Sequence, residues 1–168
     1  MSQARLPLDV EILKSRAQDG PCFVCATVAR KPDYLHEMIY EDDDHVGFLD
    51  RWPTVAGKVL VAPKAHIEHV VRDLDDDQYH RLMAVVRLVA LAVEDVLNPE
   101  RTYVLSLGSQ QGNSHLHWHV AGLPPGTPYD EQQFHALMAE HGVLEQSRAD
   151  EQRIGKLIRD AIRRRTAA

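Results

Sequence analysis

An alternating run of histidines and apolar residues constrains the fold of this chain more than any other feature. Residues 115–120 have the sequence His-Leu-His-Trp-His-Val. Because successive side chains of a β-strand point to opposite faces, a strand here places the three imidazoles on one face and Leu116, Trp118 and Val120 on the other. The apolar face is expected to be buried. The histidines then line a surface or cleft, with about 6–7 Å between neighbours.

The rest of the chain predicts an α+β architecture built on an antiparallel sheet. Residues 75–97 carry apolar side chains at three- and four-residue spacing, and Asp75 with Gln78 has the pattern of a capping box, so one long helix is predicted. Further helices are expected at 6–18, 130–141 and 147–165, and a tight loop at 21–25. Short strands are expected at 37–41, 46–50, 59–62, 102–107 and 116–121.

Composition limits the classes of protein to which the chain can belong. A length of 168 residues and a mass of 19.0 kDa are typical of one domain. The formal net charge of −6 argues against a broad basic surface, so no stable binding to nucleic acid is expected. The sequence shows neither an apolar run of roughly 20 residues nor a secretory signal pattern. We therefore expect no membrane association and a cytoplasmic location.

The two cysteines help to separate the possible uses of the histidine row. Neutral imidazole is a nucleophile, a base and a metal ligand, so the row could be a three-histidine metal site or a nucleophile with helpers. A three-histidine site leaves Cys22 and Cys25 unexplained, whereas both cysteines with two histidines make a closed, structural type of zinc site. A thioredoxin-like redox pair is the alternative, but the strand and helix expected around it are missing from the predicted elements.

Several motifs together resemble the histidine triad (HIT) superfamily. They are Cys-Phe-Val-Cys at 22–25, Tyr-Glu-Asp-Asp at 40–43, Val-Gly-Phe-Leu-Asp at 46–50, Leu-Val-Ala-Pro-Lys-Ala-His at 60–66, and the triad itself. They follow the order of the family over roughly residues 22–121. The resemblance implies a HIT-like domain with a short N-terminal helix over residues 1–128. Residues 129–168 are then a C-terminal helical extension packed on the same domain.

The resemblance also implies roles for the cysteines and histidines. A structural Zn²⁺ is implied, bound by Cys22, Cys25, His66 and His115. The middle histidine, His117, is implied to attack the α-phosphorus of a nucleotide derivative and to form a covalent nucleotidyl-imidazole. His119 is implied to contact the phosphate or the leaving group. Because the transferase branch has glutamine at this position, His119 favours hydrolysis.

A nucleotide pocket is implied around the triad. The polar loop before it offers hydroxyl, amide and backbone N–H groups to phosphate oxygens, and the candidate ligands are Ser106, Gln111, Asn113 and Ser114. Asp50 matches a family position that accepts hydrogen bonds from ribose hydroxyls, and Phe23 and Phe48 match positions that line the base pocket. Alternatively, Phe48 is an ordinary core residue and Asp50 a turn residue.

The expected function is hydrolysis at the α-phosphate of a nucleoside polyphosphate or phosphoramidate, similar to that of a dinucleoside polyphosphate hydrolase. The alternatives are a nucleotidyltransferase or phosphorylase of the same superfamily and a non-catalytic nucleotide-binding module stabilised by zinc. The chain has Gly57-Lys58 where many members have Gly-His, which leaves the substrate open. Members typically join the sheets of two protomers, so a homodimer is expected. A monomer covered by its terminal helices is the alternative.

Overall fold

The computed structural model describes residues 5–110 and 112–167, so Gln111, one of the predicted phosphate ligands, lies outside the described residues. The strands of the main sheet are β2 (Met38–Glu41), β3 (His45–Leu49), β4 (Val59–Pro63), β5 (Arg101–Leu105) and β6 (Trp118–Leu123). They pair antiparallel in the spatial order β2-β3-β4-β6-β5. A small second sheet pairs β1 (Arg5–Leu6) with β7 (Val143–Leu144).

The helices of the described chain are α1 (Val10–Asp19), α2 (Phe23–Val28), α3 (Asp76–Leu97), α4 (Phe134–Leu137) and α5 (Arg148–Thr166). Short 3₁₀ turns occur at Pro32–Tyr34, Tyr129–Glu131 and Ala139–His141. Within residues 5–110 and 112–167, no helix has the length and apolar character needed to cross a membrane. The predicted α+β class, with an antiparallel sheet, one long helix and terminal helices, is confirmed.

The long helix α3 forms as its sequence predicts. Asp75 Oδ1 accepts a hydrogen bond from Gln78 N at 2.8 Å, and Gln78 Oε1 accepts one from Asp75 N at 3.0 Å, which completes the capping box. Asn98 ends the helix in the left-handed conformation with φ 45°. The buried face of α3 packs against the sheet and against α5. It consists of Leu82, Val85, Val86, Val89, Ala92 and Val93.

The C-terminal helix α5 shares the core of α3. Its buried residues Ile154, Ile158, Ala161 and Ile162 belong to one hydrophobic cluster with α3, β4 and β6. Glu37, just before β2, accepts a hydrogen bond from Arg159 Nη1 and lies 3.2 Å from Arg148 Nη2. These contacts join the end of the chain to the helix-covered face of the sheet.

The triad crosses the start of strand β6. The sequence predicts a strand over 116–121, but β6 begins at Trp118, so of the three histidines only His119 lies in the ladder, opposite Leu60 and Leu105. Leu116 N instead donates to Ile67 O at 2.6 Å, which draws the preceding backbone towards the segment after β4. The alternation persists nevertheless, because Leu116 and Val120 are buried in the core cluster against which Trp118 packs.

Other predicted boundaries are wrong for local reasons. Residues 21–25 are not a tight loop, because Cys22 caps α2 by accepting a hydrogen bond from Cys25 N, and cysteine is not a usual capping residue. The predicted helix over 130–141 is broken at Gln133, which has φ 54° and whose N–H donates to Tyr103 Oη at 3.0 Å. Helix α1 starts only at Val10, after the Asp9 cap, and Leu6, where the predicted helix begins, lies in β1 instead.

Candidate active site and metal cluster

Two cysteines and two histidines from three parts of the chain meet beside helix α2. Cys22 and Cys25 lie at its N-terminus, His66 follows β4, and His115 precedes β6. One ligand atom from each residue lies within 4.8 Å of the others. The four residues that the sequence motifs single out as metal ligands are therefore brought together in space. We call Cys22, Cys25, His66 and His115 the metal cluster.

The distances in this cluster fit a tetrahedral metal ion. His115 Nδ1 lies 3.3 Å from Cys22 Sγ and 3.5 Å from Cys25 Sγ, and His66 Nδ1 lies 3.4 Å from Cys25 Sγ. Bond lengths of about 2.3 Å for Zn–S and about 2.0 Å for Zn–N, set at a tetrahedral angle, require a sulfur–nitrogen distance of about 3.5 Å. The three sulfur–nitrogen distances therefore match a tetrahedral site, and all four ligand atoms lie within 4.8 Å of one another.

The outer nitrogens of both histidines are engaged elsewhere. His115 Nε2 donates to Pro63 O at 2.9 Å, and His66 Nε2 donates to Glu68 Oε1 at 3.2 Å. Each Nδ1 therefore carries the lone pair that faces the cysteines. Such outer contacts fix the tautomer of metal-binding histidines. Burial also lowers the pKa of His115 to about 4, which keeps this ring neutral.

The middle histidine faces a separate cavity and has the opposite tautomer. His117 is buried, and its Nδ1 donates to His115 O at 2.7 Å, because a carbonyl can only accept. Its Nε2 therefore carries a lone pair. The ring lines a cavity of about 320 Å³, with Phe23 at 5.2 Å and His119 at 4.9 Å between ring centroids.

Electrostatics keep both of these imidazoles neutral. Burial is the main cause that lowers the pKa of His117. The pKa of His119 is lowered to about 3 by burial, by the Lys58 ammonium and by His117, against an opposing effect of Asp50. A neutral His117 with a free Nε2 is a competent nucleophile at pH 7.

Asp50 lines the same cavity and is held by two contacts. Its Oδ2 lies 3.0 Å from Lys58 Nζ, and its Oδ1 accepts a hydrogen bond from Trp52 N at 3.0 Å. Burial by itself raises the pKa of Asp50, but the Lys58 ammonium and the Trp52 N–H outweigh it and lower the pKa overall. Asp50 is thus a carboxylate that faces the cavity.

Of the other residues predicted to bind the nucleotide, some line the cavity and some do not. Phe23 and Asn113 line the cavity, whereas Phe48 is fully buried behind it against Phe23 and His36. Ser106 Oγ donates to His117 O at 2.8 Å, and Ser114 Oγ donates to Glu68 Oε1 at 3.0 Å. These two hydroxyls therefore support the triad backbone and the metal cluster.

Several residues of the site were not found by sequence reasoning. Lys58 stands where many family members have the histidine of a Gly-His pair, and this difference could have indicated that Lys58 belongs to the site. Arg16 packs its guanidinium over the rings of Tyr34 and Trp52, at 5.2 and 5.7 Å from their centroids, and lines the cavity. No local pattern in α1 indicated that contact. The Pro63 carbonyl has no sequence signature at all.

Comparison with known proteins places this geometry in a family. The family model of the HIT domain matches residues 32–125. Protein hit of Bacillus subtilis is 31% identical over 104 residues, which cover 61% of this chain and 70% of that protein. An uncharacterized HIT-like protein of Saccharolobus solfataricus is 30% identical over 103 residues, which cover 59% of this chain and 71% of that protein.

Solved structures show the same fold. A hypothetical histidine triad nucleotide-binding protein from Sulfolobus tokodaii has a TM-score of 0.68 and 28% identity, over 85% of this chain and 93% of that chain. A Zn-bound histidine triad family protein from Mycobacterium smegmatis also has a TM-score of 0.68, with 25% identity over 87% of this chain and 96% of that chain.

The family match covers most of the site, although Cys22, Phe23 and Cys25 precede it. Residues 32–125 are more than half of the 168 residues and include the whole main sheet, α3, His66 and the triad. The resemblance that the motifs indicate is therefore confirmed by sequence and by fold. This chain belongs to the HIT family.

Proposed function

We propose that the protein is a nucleotide hydrolase in which His117 attacks the α-phosphorus of a nucleoside polyphosphate or phosphoramidate. One observation carries the proposal. His117 Nδ1–H donates to His115 O at 2.7 Å, so Nε2 is unprotonated, and the His117 ring lines a cavity together with a ribose-binding candidate, Asp50. A binding module has no need of a nucleophile prepared in this way.

The reaction takes place in two displacements at phosphorus. In the first, a bond forms between His117 Nε2 and the α-phosphorus while the bond to the leaving group breaks, and the leaving group takes that electron pair. The nucleotidyl-imidazole retains its Nδ1–H and carries a positive charge, which the His115 carbonyl stabilises. In the second, water attacks phosphorus, loses a proton to solvent and returns the electron pair to Nε2. The products are a nucleoside monophosphate and neutral His117.

The walls of the cavity fit the nucleoside. Asp50 is a carboxylate and accepts hydrogen bonds from ribose hydroxyls, while Phe23 offers an aromatic face to a base. His119 contacts the phosphate or the leaving group, because its ring lies 4.9 Å from that of His117. Asn113 is the described loop residue that lines the cavity beside the phosphate position.

The metal cluster is proposed to bind a structural zinc ion. Cys22, Cys25, His66 and His115 supply a closed set of four ligands, and the Mycobacterium smegmatis relative is described as Zn-bound. Zinc bound at this cluster contributes folding free energy, because it ties α2 to the segments after β4 and before β6. His115 then holds its carbonyl in the place where His117 needs it.

A homodimer is proposed through the β5 edge of the main sheet. Strand β5 is one of the two edge strands of the order β2-β3-β4-β6-β5, and Val104 on it is 41% exposed. Such an edge is usually paired or covered. Light scattering at micromolar concentration is expected to report about twice the chain mass of 19.0 kDa. A single-chain mass at every accessible concentration would refute the dimer.

The test of the hydrolase is a trapped intermediate. Wild-type protein quenched without acid during turnover of a dinucleoside polyphosphate is expected to gain the mass of one nucleotidyl group, and His117→Ala is expected to gain none. Products identified by mass separate the alternatives, because a phosphorylase needs added phosphate and a binding module releases no product. An equal adduct on the variant would contradict the assignment of His117.

A further inference from the structure

A buried lysine faces the catalytic cavity, and the proposed reaction gives it no role. Lys58 is 7% exposed and lines the cavity together with His117 and His119. Its ammonium pairs with Asp50 Oδ2 at 3.0 Å, and Asp50 N donates to Lys58 O at 2.9 Å, which extends the β3–β4 pairing. Burying an ion pair costs free energy that its attraction rarely returns in full. Stability is therefore a weak reason for a lysine at this place.

The sheet register places this ammonium on the same side as the third histidine. His119 lies opposite Leu60 in the β4–β6 ladder. Lys58 precedes Leu60 by two residues, and such residues share one face of a sheet. Lys58 and Asp50 are the charged groups with the main effect on the His119 pKa, and the neutral ring of His117 lies beside His119. Arg16 and Arg51 also line this cavity.

We propose, on the basis of the hydrolase function, that Lys58 makes the enzyme selective for nucleoside polyphosphates over nucleoside phosphoramidates by keeping His119 unprotonated. Lys58 acts through His119 and is in this sense a positioning and specificity residue. The selection concerns the leaving group, since both substrate classes share the nucleotidyl part.

The two classes differ in their need for a proton. When a P–O–P bond breaks, the phosphate chain leaves with the electron pair as a stable anion and needs no proton. When a P–N bond breaks, the nitrogen needs a proton to leave as an amine. His117 has none to give, because its Nδ1–H is held by His115 O and its Nε2 forms the new bond to phosphorus.

His119 is the other imidazole of the cavity, and its surroundings oppose protonation. An ammonium beside it disfavours the imidazolium form, and burial adds to this effect. The Asp50 carboxylate acts in the opposite direction, but one of its oxygens is already paired with Lys58. A bound substrate phosphate also favours protonation of His119, and it is present in the wild-type and variant complexes alike. A comparison of lysine variants therefore isolates the effect of the ammonium.

The experiment measures kcat/KM for a dinucleoside polyphosphate and for a phosphoramidate of the same nucleoside. In Lys58→Gln the ratio of polyphosphate to phosphoramidate efficiency is expected to fall about tenfold, and in Lys58→Arg to stay within threefold of wild type. Lys156→Gln is the matched control, because it removes a lysine from an ion pair with Asp160 on α5, at 2.7 Å. A ratio within threefold of wild type in Lys58→Gln overturns the proposal.

A second variant and a second readout keep the test decisive. The double variant Asp50→Asn with Lys58→Gln removes both charges of the ion pair. It therefore leaves no unpaired buried charge and can be used if Lys58→Gln does not fold. The loss of Asp50 affects ribose binding equally for both substrates, because they share the nucleoside, so this effect cancels in the ratio. NMR titration of the His119 ring is expected to show a higher pKa in Lys58→Gln than in wild type, and a smaller rise in the double variant because the opposing Asp50 carboxylate is also lost. If wild type turns over neither substrate, the hydrolase function fails while this titration still tests Lys58. A His119 pKa in Lys58→Gln that is no higher than in wild type overturns the proposal; if Lys58→Gln does not fold, a His119 pKa in the double variant that is lower than in wild type overturns it.

Discussion

The first two histidines of the triad are the same residue type, but their rings have opposite tautomers and different surroundings. His115 donates from Nε2 and turns Nδ1 towards two cysteines, whereas His117 donates from Nδ1 and turns Nε2 into a cavity. Both donate to a backbone carbonyl, that of Pro63 in one case and of His115 in the other. The position of a carbonyl therefore decides which nitrogen keeps its lone pair.

The difference also explains why the two sites support each other. The ring of His115 belongs to the metal cluster, while its own carbonyl fixes the tautomer of His117. We therefore expect a loss at the metal cluster to disturb the proposed catalysis indirectly, and a loss at His117 to leave the four proposed metal ligands in place. Substitutions at the two histidines and their partners can therefore separate catalysis from metal binding.

The largest effect is expected from His117→Asn. Without the nucleophilic nitrogen, kcat/KM should fall by at least about 10³-fold, as is usual when a covalent catalyst is removed. Zinc content should stay at one ion per chain, because the backbone of His115 and all four ligands are unchanged. Steady-state kinetics and metal analysis of the same preparation check both expectations. A variant that keeps a tenth of the activity would show that His117 is not the nucleophile.

Cys22→Ser is expected to show the opposite pattern, with a loss of stability as its main effect. Removing a thiolate ligand should release the ion and lower the free energy of unfolding by about 3 kcal/mol, which is about 6–12 °C in Tm for a chain of this size. Thermal unfolding with and without a chelator checks the cause. The chelator should lower the Tm of wild type and leave that of the variant unchanged. A fall in Tm with full zinc content would point to lost packing instead.

Glu68→Gln is expected to have a moderate effect on the metal cluster alone. Glu68 Oε1 accepts from His66 Nε2, and outer contacts of this kind typically change metal affinity by about 10–100-fold. Competition with a chromophoric chelator should show weaker zinc binding, and turnover at saturating zinc should stay within about twofold. Ser114→Ala, which removes the other hydrogen-bond donor to the same carboxylate, is the matched comparison and should have the smaller effect.

The smallest effect concerns acid stability. Burial lowers the pKa of His36 below its ordinary value of 6.5, so the unfolded chain binds a proton that the folded protein does not. The contribution of His36 to the free energy of unfolding is complete above about pH 6.5. It falls as the pH drops from there towards the pKa of His36 in the folded protein, with a slope of at most about 1.4 kcal/mol per pH unit for one proton. His36→Gln should reduce this slope in urea unfolding between pH 7 and pH 5. An equal slope in the variant would assign the effect to the other buried histidines.

Much of the fold was predictable because its signals are local. The capping box and apolar face of α3 lie within one segment, and the alternation of residues 115–120 correctly separates the core side from the histidine side. The break at Gln133 was not predictable, since a contact with Tyr103 thirty positions away stabilises it. Local patterns cannot report such contacts.

The candidate site shows the same division. The sequence by itself determined the residue types: four metal-type ligands, a central histidine, and an aspartate after β3, all at spacings that indicate the HIT family. Only the tertiary structure decided the protonation of each ring, the hydrogen bonds of Ser106 to His117 O and of Ser114 to Glu68, and the pairing of Lys58 with Asp50. The physical reason is that tautomers and charge pairs depend on distances of about 3 Å between distant segments, and those distances exist only after the sheet has formed.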